Sequence, residues 1–223
     1  MRVVIFGASG MVGQGVLRAC LLDDGVTDVL LVVRSPLNVT HPKVREVVHA
    51  DFTDFTAIQD ELTGLDACFY CLGVSSTGRG EAEYTRVTFD YTLAAAQVVG
   101  AGNPDLTFVY VSGQGTDSTE KGRAMWARVK GRTENALLAM DFHAYMFRPG
   151  FIQPRHGEVS RTGSYRVMYR LISWAFPLLR RLAPRHTTTT EHLGCAMLAV
   201  VGQQGAGPKV LDNEDINRLG GSG

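Results

Sequence analysis

The sequence lacks an excess of charge of either sign: it holds 22 Lys and Arg residues and 22 Asp and Glu residues, for a formal net charge of zero. A protein that binds nucleic acid electrostatically needs a basic surface, so we expect no nucleic acid partner. The sequence also lacks an apolar run long enough to span a bilayer, and its first residues carry no signal-peptide pattern. We therefore expect a protein without an integral membrane segment and with a cytoplasmic location.

Cysteine is scarce, with four in 223 residues. Two of them, Cys68 and Cys71, form a C-x-x-C pair, which in other settings is a redox pair or half of a zinc site. Here the surrounding stretch DACFYCLG is typical of a buried strand, on which residues three apart point to opposite faces. We therefore expect buried structural thiols and no metal site.

What the sequence does have is a regular alternation of short apolar runs and amphipathic segments. The apolar runs are continuous, which is typical of strands covered by helices on both faces. This pattern predicts an α/β fold with an open, mostly parallel, doubly wound sheet, in a single domain over residues 1–223 with a small C-terminal substrate-side region. The predicted strands cover residues 2–6, 28–34, 44–50, 65–73, 106–113, 143–150 and 208–213, and the helices cover residues 11–24, 54–64, 81–102 and 120–140, with one more after the threonines at 187–190.

Three glycines, Gly7, Gly10 and Gly13, have the spacing G-x-x-G-x-x-G between the first predicted strand and the helix that begins at Met11. The first glycine permits a tight turn, the second lets main-chain amides approach a pyrophosphate, and the third lets helix and strand pack closely. The helix N-terminus adds a partial positive charge, and Ser9 adds a hydroxyl donor. The stretch predicts a dinucleotide-binding (Rossmann) motif, and the alternative is a turn with a structural role only.

The residues at the end of the second predicted strand indicate which cofactor is bound. Sites that select NAD carry Asp or Glu there, whereas this chain has Arg34 followed by Ser35. A carboxylate would repel a 2′-phosphate, but a guanidinium can bind it with two parallel hydrogen bonds. We therefore expect NADP(H) to be favoured over NAD(H); the alternative is a solvated surface arginine.

Further cofactor contacts are expected at the ends of the later strands, because ligands of such sheets bind beyond the carboxyl ends of the strands. Asp51 and Phe52 follow the third strand, where a side chain can meet the adenine edge, although Asp51 can also be a helix cap. Gly73, after the fourth strand, would let the backbone pass beside the nicotinamide ribose. The residues expected to line the cleft after the sixth strand are Pro149, Gly150 and Phe151.

Motifs along nearly the whole chain resemble the short-chain dehydrogenase/reductase superfamily in its extended and atypical members. They are DFTD, CFYCLG, FVYVSGQG, WARVKGRTENAL and FRPGFIQP, in the order that this superfamily uses. The chain is similar in particular to the Tat-interacting-protein and NmrA-like branch, which is described as NAD-dependent epimerase/dehydratase-like. The resemblance implies a Rossmann fold, a nicotinamide cofactor and oxidoreductase chemistry.

In that superfamily a Ser at the end of the fifth strand and a Tyr-x-x-x-Lys pair on the next helix carry catalysis. The Tyr moves a proton, and the Lys binds the nicotinamide ribose. The resemblance gives these positions to Ser112 and Lys130, whereas Trp126 stands at the Tyr position. Indole has no proton to exchange near neutral pH, so Trp126 cannot be a general acid or base; four residues from Lys130, it can wall the nicotinamide pocket. Other candidate proton donors are Tyr84, Tyr165, Tyr169, His186 and His192.

The predicted substrate side is residues 151–190, which we expect to contribute a lid over the pocket. Residues 169–182 are apolar with basic flanks, so a membrane-surface helix is the alternative there. Two functions stay open: an NADP(H)-dependent oxidoreductase or epimerase-like enzyme acting on an unknown small carbonyl or alcohol, and a catalytically silent NADP(H)-binding regulatory or interaction protein. The stretch TLAAAQVV at 92–99 fits a homodimer or protein partner, or packing on the sheet.

Overall fold

The computed structural model describes residues 1–158 and 186–221. In this part of the chain a central sheet has seven parallel strands in the order β3-β2-β1-β4-β5-β6-β9, and β7 and β8 form a separate parallel pair. The predicted doubly wound α/β fold is confirmed. The strands are β1 Arg2–Phe6, β2 Asp28–Val33, β3 Val44–Val48, β4 Ala67–Tyr70, β5 Thr107–Val111, β6 His143–Phe147, β7 Phe151–Gln153, β8 Thr187–Thr189 and β9 Val210–Leu211.

Six α-helices lie in the described residues: α1 Met11–Leu22, α2 Glu81–Thr85, α3 Tyr91–Gly102, α4 Met125–Leu138, α5 Thr190–Val201 and α6 Asn213–Gly220. A π-helical turn at Arg86–Asp90 joins α2 to α3, so the helix predicted over 81–102 is continuous but not uniform. The helix predicted over 54–64 is instead a 3₁₀ helix at Thr56–Leu62. The reason is local, because the Asp54 carboxylate accepts hydrogen bonds from both the amide and the hydroxyl of Thr56, which forms a tight turn rather than a helix cap.

The continuous apolar strands are explained by two hydrophobic cores, one on each face of the sheet. Along β1, Val3 and Ile5 pack with residues of α1 and α5, whereas Val4 and Phe6 pack with residues of α3 on the other side. All four side chains are fully buried, so a polar residue at any of these four positions would lose its water without gaining a partner.

Helices α1 and α5 cross at very short range because glycines stand at the contact. A Cβ atom at Gly15 would lie 2.7 Å from the Thr190 Cβ, and one at Gly194 would lie 2.7 Å from the Ala19 Cβ and 3.0 Å from the Gly15 carbonyl oxygen. Thr189 caps α5 by accepting a hydrogen bond from the His192 amide at 3.0 Å.

The cysteine pair has the predicted buried environment at Cys68, whereas Cys71 is half-buried. Cys68 lies on β4 with a fully buried side chain, and burial raises the pKa of its thiol well above the usual range. Cys71 lies just beyond the strand, and burial raises the pKa of its thiol as well. Both thiols are free, and their raised pKa values keep them protonated and unreactive near neutral pH.

Most of the expected lid cannot be compared with the structure. Residues 159–185 lie outside the described residues, and with them the 169–182 segment, Tyr165 and Tyr169. The ends of the predicted substrate side are described, as β7 and β8.

Candidate cofactor and active site

The glycine loop, residues 7–13, joins β1 to α1 and needs two of its glycines for steric reasons. Gly7 has φ +81°, and a Cβ atom there would lie 2.5 Å from the Leu72 amide nitrogen. At Gly13 a Cβ atom would lie 2.2 Å from the Gly7 carbonyl oxygen. A side chain at Gly7 would therefore clash with the main chain that follows β4, and one at Gly13 would force the loop away from the helix.

Gly10 differs from its two neighbours because it borders open space. A Cβ atom there would meet the Gly7 oxygen at 3.4 Å and nothing else within 4 Å. Gly10 is the N-cap of α1, and no side chain caps this end of the helix or places an acidic group in its first turn. The first amides of a helix have no intrahelical partner, so the open surface over Gly10 fits the phosphates of a dinucleotide.

The predicted ribose end lies beside this loop, at the end of the neighbouring strand. Arg34 and Ser35 follow β2 directly and are exposed. Among the described residues, the Arg34 guanidinium has no hydrogen bond or ion pair. A cation held on the surface in this way is available to a phosphate.

The residues predicted near the adenine have different surroundings. The Asp51 carboxylate is exposed and accepts hydrogen bonds from the Thr53 hydroxyl and amide, which lower the pKa of the carboxyl. Phe52 is only 2% exposed, and its ring packs edge-on against Phe6 with 6.3 Å between centroids. The Phe52 ring therefore belongs to the core and is not available to a cofactor.

Ser112 lies at the end of β5, as the resemblance implies, but its hydroxyl is already bound. The side chain is 5% exposed, and Oγ donates to the Phe147 carbonyl oxygen at 3.1 Å. The Ser112 amide donates to the same oxygen at 2.9 Å. The hydroxyl proton is therefore directed into the sheet, toward β6.

Lys130 lies beside Ser112 on α4. Its ammonium donates to the main-chain oxygens of Val111, at 3.3 Å, and of Ser112, and it lies 5.9 Å from the centroid of the Tyr110 ring. Burial lowers the pKa of Lys130 to about 8, and the nearby Glu134 carboxylate opposes this shift. The ammonium has three N–H donors, so one is left for a ligand.

Trp126 lies one turn before Lys130 on the same helix and is half-buried. A Cβ atom at Gly115 would lie 3.3 Å from the Cη2 atom of its indole ring. The ring therefore packs against the serine loop, residues 112–118, and forms a wall of that loop.

Sequence reasoning missed the ion pair that closes the serine loop against α4. Glu134, with no exposed surface, pairs with Arg148, whose Nε lies 3.0 Å from Glu134 Oε1. A second nitrogen of Arg148 donates to the Ser118 hydroxyl at 2.5 Å. An acidic residue on the face of α4 that carries Lys130, and an arginine before Pro149, were the signals that could have revealed this pair.

Three of the alternative proton donors, Tyr84, His186 and His192, lie in the described residues. Tyr84 is buried, at 2% exposure. The His186 ring nitrogen Nδ1 lies 2.8 Å from the Gln114 side-chain nitrogen, and His192 Nδ1 lies 3.2 Å from Asn217 Oδ1. None of the three is placed beside Ser112 by a direct hydrogen bond.

The predicted positions after β4 and β6 differ in the space around them. A Cβ atom at Gly73 would meet nothing within 4 Å. At Gly150 it would lie 2.6 Å from the His186 oxygen and 2.7 Å from Gln114 Oε1, and the Pro149 oxygen accepts from the Gln114 amide at 2.8 Å. Gly150 is therefore enclosed, whereas Gly73 faces open space. Phe151, the last predicted lining residue, begins β7.

Neither a metal-binding cluster nor a membrane-spanning helix is found among the described residues. No group of three or more His, Cys, Asp or Glu side chains there is arranged to hold a metal ion. None of the helices in that part of the chain combines the length and apolar character needed to cross a bilayer.

Comparison with known proteins gives relatives over most of the chain. Protein HTATIP2 of Rattus norvegicus is 29% identical over 167 residues, which cover 73% of this chain and 67% of the relative. Protein FMP52, mitochondrial, of Chaetomium globosum is 23% identical over 227 residues, which cover 97% of this chain and 96% of the relative. The crystal structure of the Bordetella bronchiseptica enzyme WbmF in complex with NAD+ has a TM-score of 0.68 and 17% identity, over 97% of this chain and 76% of that one.

These names correct one expectation. The predicted cytoplasmic location is wrong, because the FMP52 relative and three further fungal relatives are named mitochondrial. The prediction rested on the lack of a signal-peptide pattern, and that lack does not identify a compartment.

The family assignment comes from a model described as NAD(P)H-binding, which matches residues 7–169. The match begins at Gly7, the first residue of the glycine loop, and extends past β7. The resemblance to atypical short-chain dehydrogenases/reductases is thereby confirmed, and the chain belongs to the NAD(P)H-binding family.

Proposed function

We propose that this protein is an NADP(H)-dependent oxidoreductase or epimerase-like enzyme that acts on a small carbonyl or alcohol. The observation that carries the proposal is the position of Lys130, whose ammonium reaches the Ser112 carbonyl and keeps one N–H for a ligand. The NAD(P)H-binding family and the NAD complex of a structural neighbour support the cofactor.

The glycine loop fits the cofactor because Gly10 leaves room where a side chain would fill the surface over the α1 N-terminus. We assign the phosphates to this loop and the nicotinamide to the cleft beside Ser112 and Lys130. When bound, the nicotinamide supplies or accepts a hydride at its C4 atom. The protein's own part is to hold the oxygen of the reacting group and to move its proton.

Arg34 supports a preference for NADP(H), since it has no partner among the described residues and no carboxylate occupies its position or the next. A charge-assisted pair of hydrogen bonds to a 2′-phosphate contributes about 1.5–3 kcal/mol, or roughly tenfold in affinity or more. Calorimetry with NADPH and NADH tests this. We expect Arg34→Ala to weaken NADPH binding by about tenfold and to leave NADH binding nearly unchanged.

Arg18→Ala is the matched control, because it removes an exposed arginine from the middle of α1, away from the loop end. It should change neither affinity. Wild-type protein that binds NADH as tightly as NADPH would overturn the preference.

Lys130 is the group that we assign to proton transfer at the substrate oxygen. Trp126 has no proton to exchange, whereas the lowered pKa of Lys130, about 8, lets its ammonium release a proton near neutral pH. Lys130→Arg keeps the charge but cannot release a proton. NADPH oxidation with a panel of small aldehydes and ketones should show turnover in the wild type and its loss in this variant; undiminished turnover would remove Lys130 from this role.

A second candidate, a silent NADP(H)-binding protein, is favoured by the Ser112 hydroxyl, which donates to Phe147 rather than toward a ligand, and by the indole at position 126. Trp126→Tyr separates the two functions. If this variant reduces carbonyls that the parent does not, the parent is a binding protein. If the parent already turns over, the first proposal stands.

A further inference from the structure

One carboxylate holds the middle of the loop between β2 and β3, residues 34–43. Glu46 lies on β3, and its Oε2 accepts a hydrogen bond from the Leu37 amide at 2.9 Å. Its Oε1 accepts one from the Val39 amide, also at 2.9 Å. The residue between these two, Asn38, has φ +57°, so the loop turns sharply around the carboxylate.

Consecutive amides that converge on one anion form a nest, in which the main chain satisfies the negative charge. The hydrogen bonds from Val39, Leu37 and Asn38 hold the pKa of Glu46 below its usual range, so the carboxylate stays charged at neutral pH. The carboxylate thereby adds to the constraint from Leu37 and Val39, whose side chains pack against the core on the α1 side of the sheet.

The other end of the loop is anchored to α1. The Lys43 ammonium donates to the carbonyl oxygens of Leu21, at 3.2 Å, and Asp23, at 2.7 Å, at the C-terminal end of that helix. These contacts leave Arg34 and Ser35, at the start of the loop, as the exposed pair next to the glycine-loop end of the sheet.

We propose that Glu46 is a positioning residue for recognition of the cofactor's 2′-phosphate. By holding the amides of residues 37–39, its carboxylate fixes the path of the chain that follows Arg34 and Ser35. The main chain that carries the Arg34 side chain is then held in one position beside the 2′-phosphate. The inference rests on the proposed preference for NADP(H), and no other group of the cofactor depends on it.

Glu46→Gln tests the inference. A carboxamide has one oxygen, which can accept from only one of the two amides, and its NH₂ group then faces the second amide. Calorimetry should show NADPH affinity falling by about threefold to tenfold, with NADH affinity changed by less than about twofold. Glu61→Gln is the control, since the Glu61 carboxylate pairs with Arg45 at the same edge of the sheet and makes no recorded hydrogen bond to the loop. It should leave both affinities as they are.

Asn38 gives an independent test that leaves Glu46 intact. Asn38→Val places a β-branched residue at positive φ, which opens the nest, whereas Asn38→Gly keeps the turn. Asn38→Val should lower the ratio of NADPH to NADH affinity as Glu46→Gln does, and Asn38→Gly should not. This residue is exposed, so the fold should persist in both variants.

The outcomes separate the two proposals. If the wild type prefers NADPH and both Glu46→Gln and Asn38→Val retain the ratio, the role of Glu46 is overturned and the proposed function stands. Equal weakening of both cofactors also overturns the role, because it indicates a general loss of structure. If the wild type shows no preference for NADPH, the cofactor assignment and the role of Glu46 fall together.

Discussion

The glycine loop and the serine loop flank the candidate cleft and use their polar groups in opposite ways. At the glycine loop, α1 begins without a side-chain cap, and Gly10 borders open space. At the serine loop, the Ser112 hydroxyl is bound to the Phe147 oxygen, and the Asp117 carboxylate accepts from the amides of Thr119 and Gly122. The first loop leaves donors for a ligand, whereas the second satisfies its own.

The difference indicates which part of the site depends on side chains. Main-chain amides can bind phosphates whatever the neighbouring side chains are, provided that the glycines remain. Chemistry at the serine loop depends instead on which side chain stands at each position of α4. Under the proposed function, an indole at position 126 would therefore change the reacting end and leave the glycine loop as it is.

The largest effect on stability should come from breaking the ion pair that closes the serine loop. Glu134→Gln removes the charge that pairs with Arg148 inside the protein, and loss of one partner of a buried pair costs about 3–5 kcal/mol. We expect a loss near the lower end of that range, about 3 kcal/mol, because the Arg148 side chain keeps 21% of its surface exposed. Urea unfolding measures it.

Glu61→Gln is the matched control for this prediction as well. The Arg45–Glu61 pair lies on the surface, where such pairs contribute at most about 1 kcal/mol. Equal losses in the two variants would show that the Glu134–Arg148 pair does not hold the loop.

A smaller effect on stability, with a large effect on binding, is expected at the glycine loop. Gly13→Ala places a methyl group 2.2 Å from the Gly7 oxygen, an overlap that should cost about 1–3 kcal/mol of unfolding free energy and abolish cofactor binding. Gly10→Ala meets no such overlap, so it should cost less than about 1 kcal/mol. It should nevertheless weaken NADPH by at least about tenfold, because its methyl group enters the space assigned to the phosphates.

Unfolding and calorimetry on the same two variants separate these effects. Full NADPH affinity in Gly10→Ala would contradict the assignment of the phosphates to this surface. A Gly13→Ala protein of wild-type stability would contradict the tight contact between helix and strand.

The smallest effect, counted per pH unit, concerns the dependence of stability on pH. Burial holds the pKa of Lys130 at about 8 in the folded chain, against an ordinary 10.5, so the unfolded chain binds more protons between these values. The free energy of unfolding should therefore gain a contribution that rises with pH across this window, by at most about 1.4 kcal/mol per pH unit, and that is constant below it. Urea unfolding from pH 7 to 10 should show this rise in the wild type and not in Lys130→Met; parallel curves would contradict the buried ammonium.

Much of the fold could be predicted because two signals repeat along the chain. Continuous apolar runs such as RVVIF identify strands that are buried on both faces, and glycines at positions 7, 10 and 13 locate the strand-to-helix turn. Ser112 and Lys130 were found through the resemblance, and the structure brings the Lys130 ammonium to the Ser112 carbonyl.

Most features of the fold and site that the sequence did not predict depend on contacts between distant residues, and a local sequence pattern holds no information on such contacts. Glu134 pairs with Arg148 across 14 positions, and Gln114 contacts His186 across 72. The 3₁₀ helix after Asp54 was missed for a local reason, since one carboxylate decides between a helix cap and a turn. The buried ring of Phe52 was missed because the sequence DFTD does not show that Phe6 and Phe55 surround it.

The glycine contact between α1 and α5 joins the two helices into one rigid unit. With the Gly15 main chain pressed against Thr190 and the Gly194 main chain against Ala19, neither helix can slide or roll without the other. Helix α5 follows β8 directly, and β8 pairs with β7, the strand after Gly150. If pyrophosphate binding tilted α1, α5 would move with it, and the movement would reach β8 and β7 on the other side of the cleft.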